Sequence, residues 1–202
     1  NIFLELGVDA VIEGGQTMNP NVSDIIKAVD SVAADTVFVF PNNKNIIMVC
    51  EQAKELTENR LVVIATTEVP MGIAAAMNFN PEDTVEENTF NMQRAAESVK
   101  CLEVTHAIRD TEMDGFNVHV GDFIGLAGGI VAVGDSANSV AMETISISID
   151  DNIATVVIYY GEMVDESEAN SLMTELQKAY PDKEIMMMSG GQPHYNYFIG
   201  LE

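Results

Sequence analysis

Three short apolar runs alternate with helical patterns in the first half of the chain, and that alternation restricts the fold more than any other feature. Val8 to Ile12 ends in Glu13-Gly14-Gly15, Thr36 to Phe40 in Pro41-Asn42-Asn43, and Leu61 to Ala65 in Thr66-Thr67. Runs that are apolar on successive residues, rather than on every second one, predict strands buried on both faces. Between them, Asn21-Val22-Ser23-Asp24 predicts a reciprocally capped helix start, with Asp in the place usually held by Glu, followed by an apolar face of Ile25, Ile26, Ala28, Val29 and Val32. A second helix is expected from about Lys44 to Leu56, and Pro70 opens a third over Met71 to Phe79. Strands linked by helices imply a parallel sheet, in which binding residues gather at the carboxyl ends of the strands.

The second half changes character. Thr84-Val85-Glu86-Glu87 caps a helix, Asp114-Gly115 marks a tight turn, and Phe116 to Val133 reads as short antiparallel strands punctuated by glycine. A helix is expected from Ser136 to about Ile149, a strand from Ile153 to Tyr160, and a helix that begins at Asp165 and is closed by Pro181. Glu184 to Met188 and Tyr195 to Leu201 supply the last strands. The expected fold class is therefore α/β in two subdomains. Residues 1–82 form a parallel sheet with flanking helices, and residues 83–202 a mixed α/β subdomain with antiparallel strands, the break falling at Asn80-Pro81.

At 202 residues and 47% hydrophobic content the chain can bury a full core without disulfide staples. Its two cysteines, Cys50 and Cys101, lack C-x-x-C spacing and read as reduced thiols of a cytoplasmic protein. Thirty-two acidic residues against 9 basic ones give a net charge of -23, which repels nucleic acid and anionic lipid and favours a partner with a basic face. No apolar run approaches the roughly 20 residues of a transmembrane helix, so membrane insertion is not expected. The chain opens on Asn1, with neither an initiating Met nor a basic-then-apolar leader, and is read as part of a longer polypeptide.

Motifs that would specify chemistry do not occur: there is no P-loop, no G-x-G-x-x-G after a strand, no nucleophile elbow and no zinc helix. His106, His119 and His194 are spaced unlike metal ligands, and paired acids in so acidic a chain carry little information. Arginine is scarce, with Arg60, Arg94 and Arg109 the whole complement. Arg109 therefore has two readings, an ion pair with Asp110 or recognition of an anion or partner.

Five segments in order carry a family resemblance. They are Glu13-Gly14-Gly15-Gln16-Thr17-Met18-Asn19-Pro20; Phe40-Pro41-Asn42-Asn43-Lys44-Asn45-Ile46; Val69-Pro70-Met71-Gly72-Ile73-Ala74-Ala75; Ala107-Ile108-Arg109-Asp110-Thr111 with Gly121-Asp122-Phe123-Ile124-Gly125; and Tyr159-Tyr160-Gly161 with Gly190-Gly191-Gln192-Pro193. Together they resemble the carboxy-terminal region of bacterial fatty acid kinase large subunits, the dihydroxyacetone-kinase-like, YloV-type proteins. The resemblance implies a DegV-like fold and a division of labour. ATP and magnesium would bind an amino-terminal kinase domain outside this chain, while this region docks a DegV-type fatty acid binding protein whose acyl carboxylate is phosphorylated. A homodimer of the full-length protein is compatible with this reading. The chain departs from the resemblance at Ile64-Ala65-Thr66-Thr67-Glu68, where relatives usually carry a Pro-Thr-Lys-Thr type of segment.

These observations make Gln16, Thr17, Asn19, Asn42, Asn43, Lys44, Asn45 and Arg109 the candidate partner-binding residues, with no catalytic, cofactor or metal residue expected. The other reading of the same loops is structural, with glycines at tight turns and Asn42, Asn43 and Asn45 capping a helix. A DegV-like domain that itself binds a lipid or small ligand is the alternative function. A self-contained phosphotransferase or hydrolase using Arg109 is the third.

Overall fold

The computed structural model describes residues 2–14 and 19–202. The chain divides into two compact units, Asn1–Val99 and Lys100–Glu202.

The first unit holds α1 (Ile2–Glu5), α2 (Val22–Ser31), β1 (Thr36–Val39), α3 (Lys44–Lys54), β2 (Arg60–Val63), α4 (Val69–Met77) and α5 (Val85–Ser98). β1 and β2 pair in parallel, Val37 opposite Leu61 and Val39 opposite Val63. One face of the pair packs on α2 and α3 through Ile25, Val29, Cys50, Ala53 and Leu61. The other packs on α4 and α5 through Ile64, Ala75, Met92 and Ala96. Burial without a compensating charge pushes the Cys50 thiol up to about 11, with Glu51 adding to the effect, so this cysteine is an inert core residue.

The caps form where the sequence placed them. Asn21 Oδ1 accepts from Asp24 N–H at 3.2 Å while the Asp24 carboxylate accepts from Asn21 N–H at 3.0 Å. Thr84 and Glu87 make the same box at the start of α5, and the Thr84 donors hold the Glu87 carboxyl below its ordinary range.

Two expectations are corrected. Val8 to Ile12 is not a strand: it pairs with no neighbour among the described residues, and Ile12 instead lies on the cluster around Ile25 and Leu61. Its Asp9 and Ala10 are poor strand formers, which weakens the apolar run that suggested pairing. The boundary expected between residues 82 and 83 falls instead between Val99 and Lys100, because α5 packs on α4. Asn80-Pro81 is a locked corner rather than a linker. Asn88, 2% exposed, accepts from Asn80 N–H at 2.8 Å and donates to Asn80 O at 2.8 Å and Asp83 O at 3.3 Å.

The second unit is built on six strands in the order β7-β6-β3-β10-β8-β9. These are β3 (Lys100–His106), β6 (Phe123–Leu126), β7 (Ile130–Gly134), β8 (Thr155–Tyr160), β9 (Glu184–Ser189) and β10 (Tyr195–Leu201). All neighbours are antiparallel except β8 with β9, which are connected by the crossover helix α7 (Glu166–Ala179). α7 and α6 (Ala137–Ser148) cover one face, where Val140, Ile145, Leu172 and Leu176 meet Leu102, Val104, Ile158 and Ile199. The hairpin β4 (Thr111–Met113) and β5 (Phe116–Val118) turns on Asp114 and Gly115, at φ 53° and 82°, the left-handed pair that a two-residue type I′ turn requires.

Tyr197, fully buried in β10, donates its hydroxyl to Asn138 Oδ1 at 2.6 Å, and Asn138 Nδ2 donates to Glu168 O at 3.0 Å, linking β10, α6 and α7. Burial, reinforced by the Glu168 and Asp165 carboxylates, holds this phenol protonated far above its ordinary range. Tyr197→Phe leaves the Asn138 oxygen unpaired and is expected to lower stability by about 1–2 kcal/mol in urea denaturation. An unchanged midpoint would show that water replaces the hydroxyl at no cost.

Candidate functional site

The loops after β1 and β2 meet at one corner of the first unit. Asn42 adopts φ 52°, a left-handed conformation that non-glycine residues seldom hold. Two contacts fix it there. Its N–H donates to Thr66 Oγ1 at 3.0 Å, and Thr66, in the loop after β2, is wholly buried. Its side-chain amide lies against Gly72 in the first turn of α4, where an added Cβ would land on Asn42 Oδ1. That oxygen is buried and has no hydrogen-bond partner.

Asn43 is the N-cap of α3, its Oδ1 accepting from Asn45 N–H at 2.8 Å. The structural reading thus holds for Asn43, which leaves the Lys44 and Asn45 side chains exposed on the outer face of the first turn. Asn19 is exposed ahead of α2, and Gln16 and Thr17 lie outside the described residues. Gly72 is not a turn glycine. It sits inside a helix because the Asn42 amide occupies the space a side chain would need. The candidate residues omitted both Thr66 and Gly72, although the motif Val69-Pro70-Met71-Gly72 contained the signal: a glycine one turn into an otherwise apolar helix.

Arg109 belongs to the second unit. It is exposed and forms no ion pair among the described residues. The expected pairing with Asp110 does not form, because Asp110 Oδ1 accepts from Val120 N–H at 2.8 Å and lies 3.9 Å from His119 Nδ1. The surrounding loops are tied by Gly121 N–H to Ala107 O at 2.9 Å, Ala107 N–H to Asp122 O at 2.8 Å and His119 N–H to Asp122 Oδ2 at 2.7 Å. Arg109 therefore projects from a rigid base beside Ile108, 83% exposed, with Val120, 65% exposed, on the loop bonded to it. Such an apolar pair on a preorganised loop loses little entropy on binding a partner. Among the described residues no three His, Cys, Asp or Glu side chains are grouped to hold a metal.

Comparison with known proteins agrees with the family resemblance. The whole chain, residues 1–202, matches the FakA-like C-terminal family of fatty acid kinases. It is 41% identical over 204 residues to protein YloV of Bacillus subtilis strain 168, and 35% identical over 202 residues to an uncharacterized protein of Staphylococcus epidermidis. Each alignment covers 100% of this chain, which spans 37% of the length of either relative. In fold, the chain is similar to the Streptococcus pneumoniae fatty acid kinase B3 protein loaded with linoleic acid (TM-score 0.64, 12% identity, 91% of this chain and 76% of that one). It is also similar to a fatty-acid-binding DegV family protein of Thermus thermophilus (TM-score 0.59, 13% identity, 100% and 83%). The dihydroxyacetone kinase of C. freundii shares the fold over 90% of this chain and 42% of the kinase, at TM-score 0.58 and 12% identity. The full-length family match and the 41% identity to a relative leave one assignment: the chain belongs to the FakA-like C-terminal family of fatty acid kinases.

Proposed function

We propose that this chain is the noncatalytic docking domain of a fatty acid kinase subunit. It engages a DegV-type fatty acid binding protein so that the acyl carboxylate is phosphorylated by a separate domain that binds ATP and magnesium. The observation that carries the reading is the family match over all 202 residues, in a chain that spans 37% of its relatives' length. The exposed corner of Lys44 and Asn45 and the rigid loop bearing Ile108 and Arg109 support it as contact surface. A net charge of -23 favours a carrier with a basic face and predicts an association that weakens with salt.

Calorimetric titration of the chain with the fatty-acid-loaded carrier, at low and moderate salt, tests this. Saturable binding, weaker at higher salt and reduced about tenfold or more by Ile108→Asp with Arg109→Ala, is expected. Absence of heat at high concentration removes the docking reading.

The fold shared with a protein loaded with linoleic acid favours a second reading, in which the domain holds an acyl chain itself. Native mass spectrometry decides it: a copurifying mass of acyl-chain size supports lipid binding, and a bare polypeptide mass counts against it.

A further inference from the structure

β2 is paired on one side only. Among the described residues its single partner is β1, and the other edge opens into a groove of about 700 Å³ walled by α5. Arg60 N–H donates to Asp35 O at 3.1 Å and Ile64 N–H to Val39 O at 3.0 Å, so residues of even number face β1. Strand alternation turns the N–H and C=O of Leu61 and Val63 the other way, toward the free edge. Ala65, next in that series, confirms the direction: its N–H donates to Gln93 Oε1 on α5 at 3.0 Å, closing one end of the groove. Two residues of extended backbone remain without a strand partner among the described residues, bordered by a helix.

The helix wall presents Phe90, 65% exposed, and Arg94. Arg60 is engaged by Glu86 at 2.8 Å and Lys54 by Glu51 at 3.6 Å, whereas Arg94 is exposed with no ion-pair partner among the described residues. An unpaired strand edge beside a helix is the geometry in which an extended peptide adds as a further strand, its backbone supplying the hydrogen bonds and the helix wall selecting side chains. We propose that this groove receives an extended segment of a protein partner, paired with Leu61 and Val63, with an apolar residue against Phe90 and a carboxylate opposite Arg94. The charge arrangement selects that occupant. In a chain of net charge -23 an uncompensated arginine attracts an acidic residue locally, whereas a second whole copy brings its own -23. The proposal is independent of carrier docking, since neither Ile108 nor Arg109 borders the groove.

Random dodecapeptides displayed on phage and selected on the immobilised chain provide the probe, with selected peptides measured by fluorescence polarisation. Acid-bearing sequences are expected to enrich, to bind at least tenfold more weakly to Arg94→Glu and to Phe90→Asp, and to lose binding when alternate peptide nitrogens are methylated. Amide exchange at Leu61 and Val63 should slow at least tenfold in the complex. Both substituted side chains are exposed, and circular dichroism checks that each variant folds. Three results overturn the proposal: no enrichment, selected peptides that bind both variants unchanged, or a dimer by light scattering in which the edge amides are protected without peptide and released on dilution.

Discussion

Gly161→Ala is expected to destabilise the second unit by about 3 kcal/mol or more, one of the two largest single effects in the molecule. A Cβ at this position would land on the backbone oxygen of Tyr195 and lie 2.7 Å from the backbone oxygen of Gln192. Neither is a side-chain end that can rotate away. Both belong to the turn leading into β10, held by Gly161 N–H to Asn196 O at 2.9 Å and Glu162 N–H to Gln192 O at 3.1 Å. β10 lies between β3 and β8, so retreat of its first residues disturbs two ladders at once. For a unit of roughly 100 residues this corresponds to a melting temperature lower by about 12 °C or more. Scanning calorimetry reads the shift, and hydrogen exchange should place the lost protection in β3, β8 and β10 while α2 and α3 stay protected. A wild-type melting curve would mean that the 190–195 turn yields at little cost.

Gly72→Ala is the second. In an ordinary helix this exchange gains about 1 kcal/mol through helix propensity. Here the new methyl group collides with the whole Asn42 amide, its Cγ at 2.7 Å and Nδ2 at 2.8 Å from the added carbon. The side chain must swing out of a buried position while its backbone is held at φ 52° by the Thr66 hydrogen bond. A net loss of about 2 kcal/mol is expected, together with weaker carrier binding if this corner is part of the docking face. Asn42→Gly removes the colliding amide and suits the left-handed backbone. In that background Gly72→Ala should become stabilising by about 1 kcal/mol, a coupling of about 3 kcal/mol across the double-mutant cycle. Additive effects in urea denaturation would show that the two residues do not compete for the same space.

Both glycines stood within motifs visible in the sequence, yet their roles were not legible there. Gly161 follows Tyr159-Tyr160, and what excludes a side chain from it comes from residues 192 and 195. Gly72 looked like a turn former and proved to be an interior helix residue facing an asparagine thirty positions earlier. Arg109 shows the same limit. Its neighbour Asp110 suggested an ion pair, and a backbone N–H ten residues away engages that carboxylate instead.

Sequence alone determined what depends on neighbours three or four residues apart. The capping boxes at Asn21 and Thr84, the Asp165 cap of α7, the Asp114-Gly115 turn and the apolar faces of α2, α3 and α7 all follow from local hydrogen-bond geometry and helical periodicity. Tertiary structure decided which extended segments find partners. Val8 to Ile12 carried an apolar run and remained unpaired among the described residues, β2 kept one edge open, and the last strand in sequence, β10, was placed in the middle of the second sheet. It also assigned α5 to the first unit. Strand pairing joins residues far apart in the chain, Leu201 with Lys100 and with Val156 among them, so its outcome depends on how whole surfaces fit together and has no local signature.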